Sequence, residues 1–252
     1  MEHKDYGIKN YGSAGEEAVR KEFFDHFKEC PIPGEQVLSN LGLFLNSKNM
    51  SRLLFLDHVY RQIIDVQGVV MEFGTRWGQN LAVFSALRGI YEPFNRHRKI
   101  IGFDTFEGFP AVSAKDGGSD MMRPGNLAVT EHYERYLSKT LELLEKDNPL
   151  DHIKKFELRA GDATKQIEHY LNDHPETIVS LAYFDFDLYE PTRKCLEAIR
   201  PRLVKGSVVG FDELNDIDSP GETVAVMETF GLNNVRLKRY RHASRVSYFV
   251  VE

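Results

Sequence analysis

The stretch Val69-Val70-Met71-Glu72-Phe73-Gly74-Thr75-Arg76-Trp77-Gly78 limits what this chain can fold into more than any other. An apolar run between Gly68 and Gly74 reads as a short buried strand, and apolar residues resume at helical spacing from Asn80 to Leu87. Gly74 and Gly78 let the backbone pass close to a ligand, and the helix start behind them offers N–H groups without intrahelical partners. Further on, Lys99-Ile100-Ile101-Gly102-Phe103-Asp104 is a second apolar run that ends in an acid. In an open α/β sheet an acid at that place can accept both ribose hydroxyls of a nucleoside. Strand, glycine turn, helix and second acid together predict a nucleoside site.

The 252 residues suit one α/β domain with a small additional unit. We expect a helical extension or lid over residues 1–64 and the nucleoside-binding domain over residues 65–252. A net charge of −6 argues against a nucleic-acid binder that relies on a basic face. No apolar run reaches the ~20 residues needed to span a bilayer. The start, Met1-Glu2-His3-Lys4-Asp5, lacks the apolar centre of a signal peptide. A cytoplasmic protein with no membrane contact is therefore expected. Cys30 and Cys195 form neither a disulfide framework nor a zinc spacing.

In chain order, Glu16 to Phe24 has an amphipathic pattern stopped at Pro31 and Pro33. Two helix-like pieces follow within residues 34–64, the second predicted over 52–64 with Ser51 as its N-cap. After the second strand, residues 105–130 are rich in glycine and proline, a composition expected of a lid or binding loop. Helices are predicted over 130–146, 163–172, 191–199 and 221–230, with Gly231 closing the last. Strands are predicted over 155–162, 178–185 and 208–212. The tail, 235–241 and 246–251, reads as a hairpin. Five strand–helix steps and a terminal hairpin predict a Rossmann-like α/β fold with a mostly parallel seven-stranded sheet.

Acids recur where these strands end: Glu72, Asp104, Asp162, Asp185 and Asp212. Ligands of open parallel sheets bind at that edge. Helix capping would explain one or two of these acids, but hardly five. Asp185-Phe186-Asp187 and Asp212-Glu213 are denser still. Neighbouring strands lie ~4.8 Å apart, so Asp185, Asp212 and Glu213 are expected to converge. Oxygen ligands without histidine or cysteine suit Mg²⁺ better than zinc. Asp187 remains as a second base or as an acceptor for substrate. His132, His152, His169 and His174 read as surface residues, and Arg239, Arg241, His242 and Arg245 as a solvated turn. Tyr189 and Trp77 are as readily packing residues as substrate contacts.

Glu72-Phe73-Gly74-Thr75-Arg76-Trp77-Gly78, Asp104-Thr105-Phe106-Glu107-Gly108-Phe109-Pro110 and Asp185-Phe186-Asp187-Leu188-Tyr189-Glu190-Pro191-Thr192 resemble the macrocin O-methyltransferase family. These are class I S-adenosylmethionine enzymes that methylate sugar hydroxyls in antibiotic pathways. The resemblance covers roughly residues 65–215. It departs from the family pattern in the inverted order of Arg76-Trp77, in Phe186 for a glycine, and in Glu213 for the second aspartate of the metal pair.

The resemblance implies methyl transfer from S-adenosylmethionine, leaving S-adenosylhomocysteine, to a sugar or nucleotide-sugar hydroxyl such as the 3-hydroxyl of TDP-rhamnose. It implies Mg²⁺ at Asp185, Asp212 and Glu213, with Asp185 and Asp187 as catalytic carboxylates. Glu72, Phe73, Gly74, Thr75 and Gly78 would line the methionine end of the cofactor. Asp104 and Thr105 would take its ribose, Phe106 would pack near the adenine, Asp162 and Ala163 would meet the base, and Asp185 would border the methyl. Arg76, Trp77, Arg123 and Tyr189 would meet the acceptor, Arg123 through an anionic diphosphate. A homo-oligomer is expected. Three other readings differ in chemistry. A nicotinamide oxidoreductase would want G-x-G-x-x-G after the first strand, and Gly74 and Gly78 are spaced otherwise. An inert nucleoside-binding module would carry a costly cluster of buried charge. A methyltransferase for catechols or for an already glycosylated product would present a different acceptor pocket, an apolar slot in the catechol case.

Overall fold

The computed structural model describes residues 7, 8 and 11–252. Three helices, α1 (Ala14–Lys28), α2 (Gly34–Val37) and α3 (Ser47–Arg61), precede the sheet. Then β1 (Val69–Phe73), α4 (Gln79–Tyr91), β2 (Ile100–Asp104), α5 (Tyr133–Lys146), β3 (Phe156–Ala160) and α6 (Ala163–Asp173) alternate. They are followed by β4 (Val179–Phe184), α7 (Tyr189–Ile199), β5 (Leu203–Phe211), α8 (Gly221–Thr229), β6 (Lys238–Arg239) and β7 (Ser247–Val250). The strand order is β3-β2-β1-β4-β5-β7-β6. The first five strands are parallel, β7 runs antiparallel to β5, and β6 runs antiparallel to β7. The Rossmann-like, mostly parallel seven-stranded sheet with its terminal hairpin expected from the sequence is present, and its order reverses between β1 and β4. Among the described residues, no helix is long and apolar enough to cross a membrane.

Alternation along β1 sorts the core. Val70 faces Phe55 of α3, Phe84 of α4 and Leu137 of α5, while Met71 and Phe73 face Ile167 of α6, Leu196 of α7 and Val226 of α8. On that second face Phe103, Phe73, Phe184 and Phe211 are register partners on four adjacent strands. Their rings stack at centroid distances of 5.0, 4.6 and 5.5 Å, nearly coplanar at 11, 13 and 19°. Each is the last apolar residue of its strand, so the next residues, Asp104, Gly74, Asp185 and Asp212, form a row along the sheet edge. Backbone bonds extend that row, from Gly74 N to Phe103 O at 2.9 Å, Asp185 N to Phe73 O at 2.8 Å and Asp212 N to Phe184 O at 3.0 Å.

Two local expectations are corrected. Helix α3 begins at Ser47, because the Asn46 side chain accepts from Asn49 N at 2.8 Å and caps it. Ser51 lies inside the helix and returns its hydroxyl to Lys48 O at 2.9 Å, so it caps nothing. The tail hairpin is shorter than 235–241 and 246–251 suggest, since only Lys238 and Arg239 pair with β7.

Arg98, 1% exposed, ties the extension to the sheet. Its guanidinium donates to Ile63 O at 2.8 Å and Val66 O at 2.9 Å behind α3, and to Ser180 Oγ of β4 at 2.6 Å. Glu92, 8% exposed, accepts from it through both oxygens at 2.9 and 3.0 Å and also takes Tyr60 Oη at 2.7 Å. Arg98→Met leaves Glu92 buried without its cation, and removing one member of a buried pair costs about 3–5 kcal/mol. Urea unfolding of the variant is expected to show that loss, and a change under about 1 kcal/mol would contradict the role given to Arg98.

Candidate active site

The turn after β1 is shaped by its neighbours. Gly74 has φ +95°, and a Cβ there would lie 2.1 Å from the carbonyl oxygen of Asp185, so only glycine fits. Gly78 N closes the turn on Thr75 O at 2.8 Å, with Arg76 held at φ +47°. That strained backbone is fixed by Asp104, whose two oxygens accept from Arg76 N at 2.7 Å and Phe106 N at 2.6 Å. Burial raises the Asp104 pKa, and these backbone donors oppose the rise. Each oxygen keeps acceptor capacity for a further donor.

A cleft opens over this edge. Of the expected cofactor contacts it brings together Gly74, Asp104, Thr105, Asp162, Ala163 and Asp185. Asp162 also caps α6, accepting from Thr164 N at 3.0 Å. The cleft is completed by Gly108, Phe109, Pro110 and Leu127, from the glycine- and proline-rich loop. A second, more open cavity of about 360 Å³ shares Gly74, Arg76, Leu127, Asp185 and Asp187 with the first. Thr75, Gly78 and Trp77 line this second cavity.

Between the two cavities the carboxylates crowd together. Asp185, Asp187 and Glu213 each offer an oxygen, all within 4.8 Å of one another. The set expected from the sequence is Asp185, Asp212 and Glu213, and the structure brings Asp187 to this point beside Asp185 and Glu213. Asp187 turns back toward Glu213 through a left-handed backbone at φ +60°. Asp212 is engaged on the other side, where Arg52 Nη1 donates to it at 2.6 Å and Tyr183 Oη at 3.0 Å. The same guanidinium reaches Asp185 Oδ2 through Nη2 at 2.6 Å. Arg245 pairs with one oxygen of Glu213, and the other, Oε1, is buried without a hydrogen-bond partner.

Burial, then the charge of Asp212, pushes the Asp185 carboxyl up to about 8 against the pull of Arg52. Burial raises Asp187 as well, and burial with the neighbouring Asp187 charge raises Glu213. Three hard-oxygen donors that repel one another, one of them with an orphaned oxygen, fit a divalent cation such as Mg²⁺.

Five expected contacts lie elsewhere. Glu72 is fully buried and faces neither cavity; Asn80 and Thr75 stand beside it, yet neither of its oxygens is in hydrogen-bonding geometry. Phe73 belongs to the phenylalanine stack. Phe106, 8% exposed, packs into the core with Leu137 and Leu141 instead of lining the cleft. Arg123 is exposed and pairs with Asp120. Tyr189 donates to Glu228 at 2.5 Å and carries Lys115 3.9 Å from its ring centre, a packing role at α8. Conversely, nothing in the sequence points to Arg52 at the site, and Arg245, read as part of a solvated turn that could meet a phosphate, pairs with Glu213 there. Arg52 lies 133 and 160 residues from its partners, a separation that local spacing does not register. Glu222, fully buried, also escaped notice; it accepts from Phe186 N at 2.8 Å.

No family model matches the sequence, and no curated protein sequence does. Solved structures do. A structure of CalS11, described as a calicheamicin methyltransferase, is 40% identical, with a TM-score of 0.93 over 99% of this chain and 98% of that one. An apo structure of CalS11, described as a TDP-rhamnose 3'-O-methyltransferase of calicheamicin biosynthesis, is 38% identical, with a TM-score of 0.84 over 98% and 99% of the two chains. The O-methyltransferase NovP, 20% identical over 79% of each chain with a TM-score of 0.61, shares the fold. The chain belongs to the S-adenosylmethionine-dependent O-methyltransferase family that includes CalS11, the family its motifs resemble.

Proposed function

We propose that this enzyme methylates a hydroxyl of a nucleotide-linked deoxysugar in natural-product biosynthesis, the 3-hydroxyl of TDP-rhamnose being the first acceptor to test. The observation that carries the proposal is the meeting of the two cavities at Asp185 and Asp187. The likeness to CalS11 over nearly the whole chain supports the acceptor class. The acceptor cavity carries Arg76 together with Arg52 and Arg245, which pair with its carboxylates, and in this reading Arg76 replaces Arg123 as the contact for a diphosphate. A cytoplasmic location suits such a substrate.

S-adenosylmethionine supplies a methyl group already activated by its sulfonium, and a divalent cation would supply positive charge against a developing alkoxide. Asp185, Asp187 and Glu213 would hold that cation. Asp104 accepts the ribose hydroxyls with the lone pairs its backbone donors leave free. Arg52 holds Asp185 Oδ2, so Asp187, through the oxygen it does not give to the cation, would take the hydroxyl proton as the oxygen–methyl bond forms and the sulfur–methyl bond breaks. Phe109, Met121 and Met122 of the long loop pack with Leu188 and keep water from the reacting atoms.

Mass spectrometry of TDP-rhamnose with S-adenosylmethionine is expected to show a gain of one methyl that a chelator abolishes and Mg²⁺ restores. Product that survives chelation would remove the metal and leave the carboxylates as bases. Asp187→Asn is expected to lower kcat by roughly 10²- to 10⁴-fold while S-adenosylhomocysteine affinity changes little. A change confined to KM would give Asp187 a binding role instead.

In this reading the extension over residues 1–64 supplies Arg52 and also the contact surface of a homo-oligomer. Phe24, Leu38, Leu41 and Leu43 are exposed there at 60, 73, 53 and 65%, more apolar surface than a solitary helical unit ordinarily leaves in water. Phe24→Glu combined with Leu43→Glu is expected to lower the mass measured by sedimentation; an unchanged mass would move the interface elsewhere.

A further inference from the structure

The acceptor cavity has a flat aromatic end. Trp77 sits at the tip of the Thr75–Gly78 turn, between Arg76 at φ +47° and Gly78 at φ +77°. The indole lies between these two left-handed residues and is 42% exposed. It is nevertheless held in place. The Tyr133 ring stands perpendicular to it, at 4.8 Å between centroids and 83° between planes, and Tyr133 Oη donates to Trp77 O at 3.0 Å. Tyr136 continues the aromatic surface 5.8 Å beyond Tyr133. A side chain that is both exposed and buttressed is suited to stacking on a ligand, since little ordering remains to be done on binding.

The mix of chemistry lining the cavity narrows the ligand. Trp77, the exposed Gln79, the cationic Arg76 and Arg245, and the carboxylates Asp187 and Glu213 all line it, and Asp187 also borders the cofactor cleft. A ligand complementary to this lining combines a planar heterocycle with hydrogen-bonding edges, anionic groups and hydroxyls. That is a nucleoside diphosphate sugar. We propose that Trp77, braced by Tyr133, is the stacking platform for the nucleobase of the acceptor. The proposal rests on the acceptor reading above and adds which residues read the nucleotide.

Trp77 is the sole tryptophan in the chain, so its fluorescence reports on this position alone. Titrating the full-length enzyme with TDP is expected to quench that emission saturably, whereas inorganic pyrophosphate leaves it nearly unchanged. In turnover with TDP-rhamnose, Trp77→Ala is expected to raise KM roughly ten- to hundredfold with kcat changed little, as loss of one base stack predicts. Trp77→Phe is expected to recover most of that loss, and both variants should melt near the parent temperature.

The platform is overturned by absent quenching, by equal quenching with pyrophosphate, or by a Trp77→Ala variant of unchanged KM. It is equally overturned if Trp77→Ala alters only the sedimentation mass, which would make the indole a subunit contact. Saturable quenching by TDP without turnover of TDP-rhamnose would leave the platform standing and refute only the choice of sugar.

Discussion

The structure depends on the phenylalanine stack that crosses β2, β1, β4 and β5. Aromatic pairs in such arrangements contribute about 0.5–1.5 kcal/mol each beyond their burial, but here their greater consequence is geometric. A slip of one residue on any of these strands would turn its phenylalanine to the opposite face of the sheet and out of the stack. Register is thereby set at the last apolar position of each strand, and the residues that follow fall into line as Asp104, Gly74, Asp185 and Asp212. The stack is the reason Asp104, the close-approach glycine Gly74 and the carboxylates of Asp185 and Asp212 share one edge. The break in strand order between β1 and β4 then opens the crevice above Gly74 and Asp185.

Gathering acids at one edge carries an electrostatic cost that the rest of the molecule offsets. Burial raises the pKa values of Asp185, Asp187, Glu213 and Glu222, and the neighbouring charge of Asp212 adds to each rise. Two arginines from outside the central strands intervene. Arg52 arrives from α3 and bridges Asp185 to Asp212, while Arg245 arrives from the terminal hairpin and meets Glu213. The extension is thus structurally part of the site. Arg98 anchors it through the backbone behind α3, and Phe55, Leu56 and Val59 complete the core on that face.

Much of this was legible in the sequence because its causes are local. Apolar runs, glycine turns and strand-end acids are short patterns, so the sheet, the loop over 105–130 and the cleft contacts Asp104, Asp162 and Asp185 could be read directly. The Phe-Asp and Phe-Gly pairs at four strand ends were equally visible in the sequence and went unused. What escaped depended on direction and distance. No spacing rule shows that Asp187 turns back toward Glu213, that Asp212 faces Arg52, or that Phe106 enters the core. Glu72 illustrates the same limit: it stands one residue before Phe73, and the pleat sends it to the α3 face, away from the cleft.

The most direct measurement is a crystal structure of the enzyme with S-adenosylhomocysteine and TDP-rhamnose bound together. It is predicted to show the ribose on Asp104, the thioether sulfur at the meeting of the two cavities, and one sugar hydroxyl facing it beside Asp187. A sugar hydroxyl bound away from Asp185 and Asp187, or a nucleoside seated elsewhere than on Asp104, would contradict the assignment of this sheet edge as the methyl-transfer site.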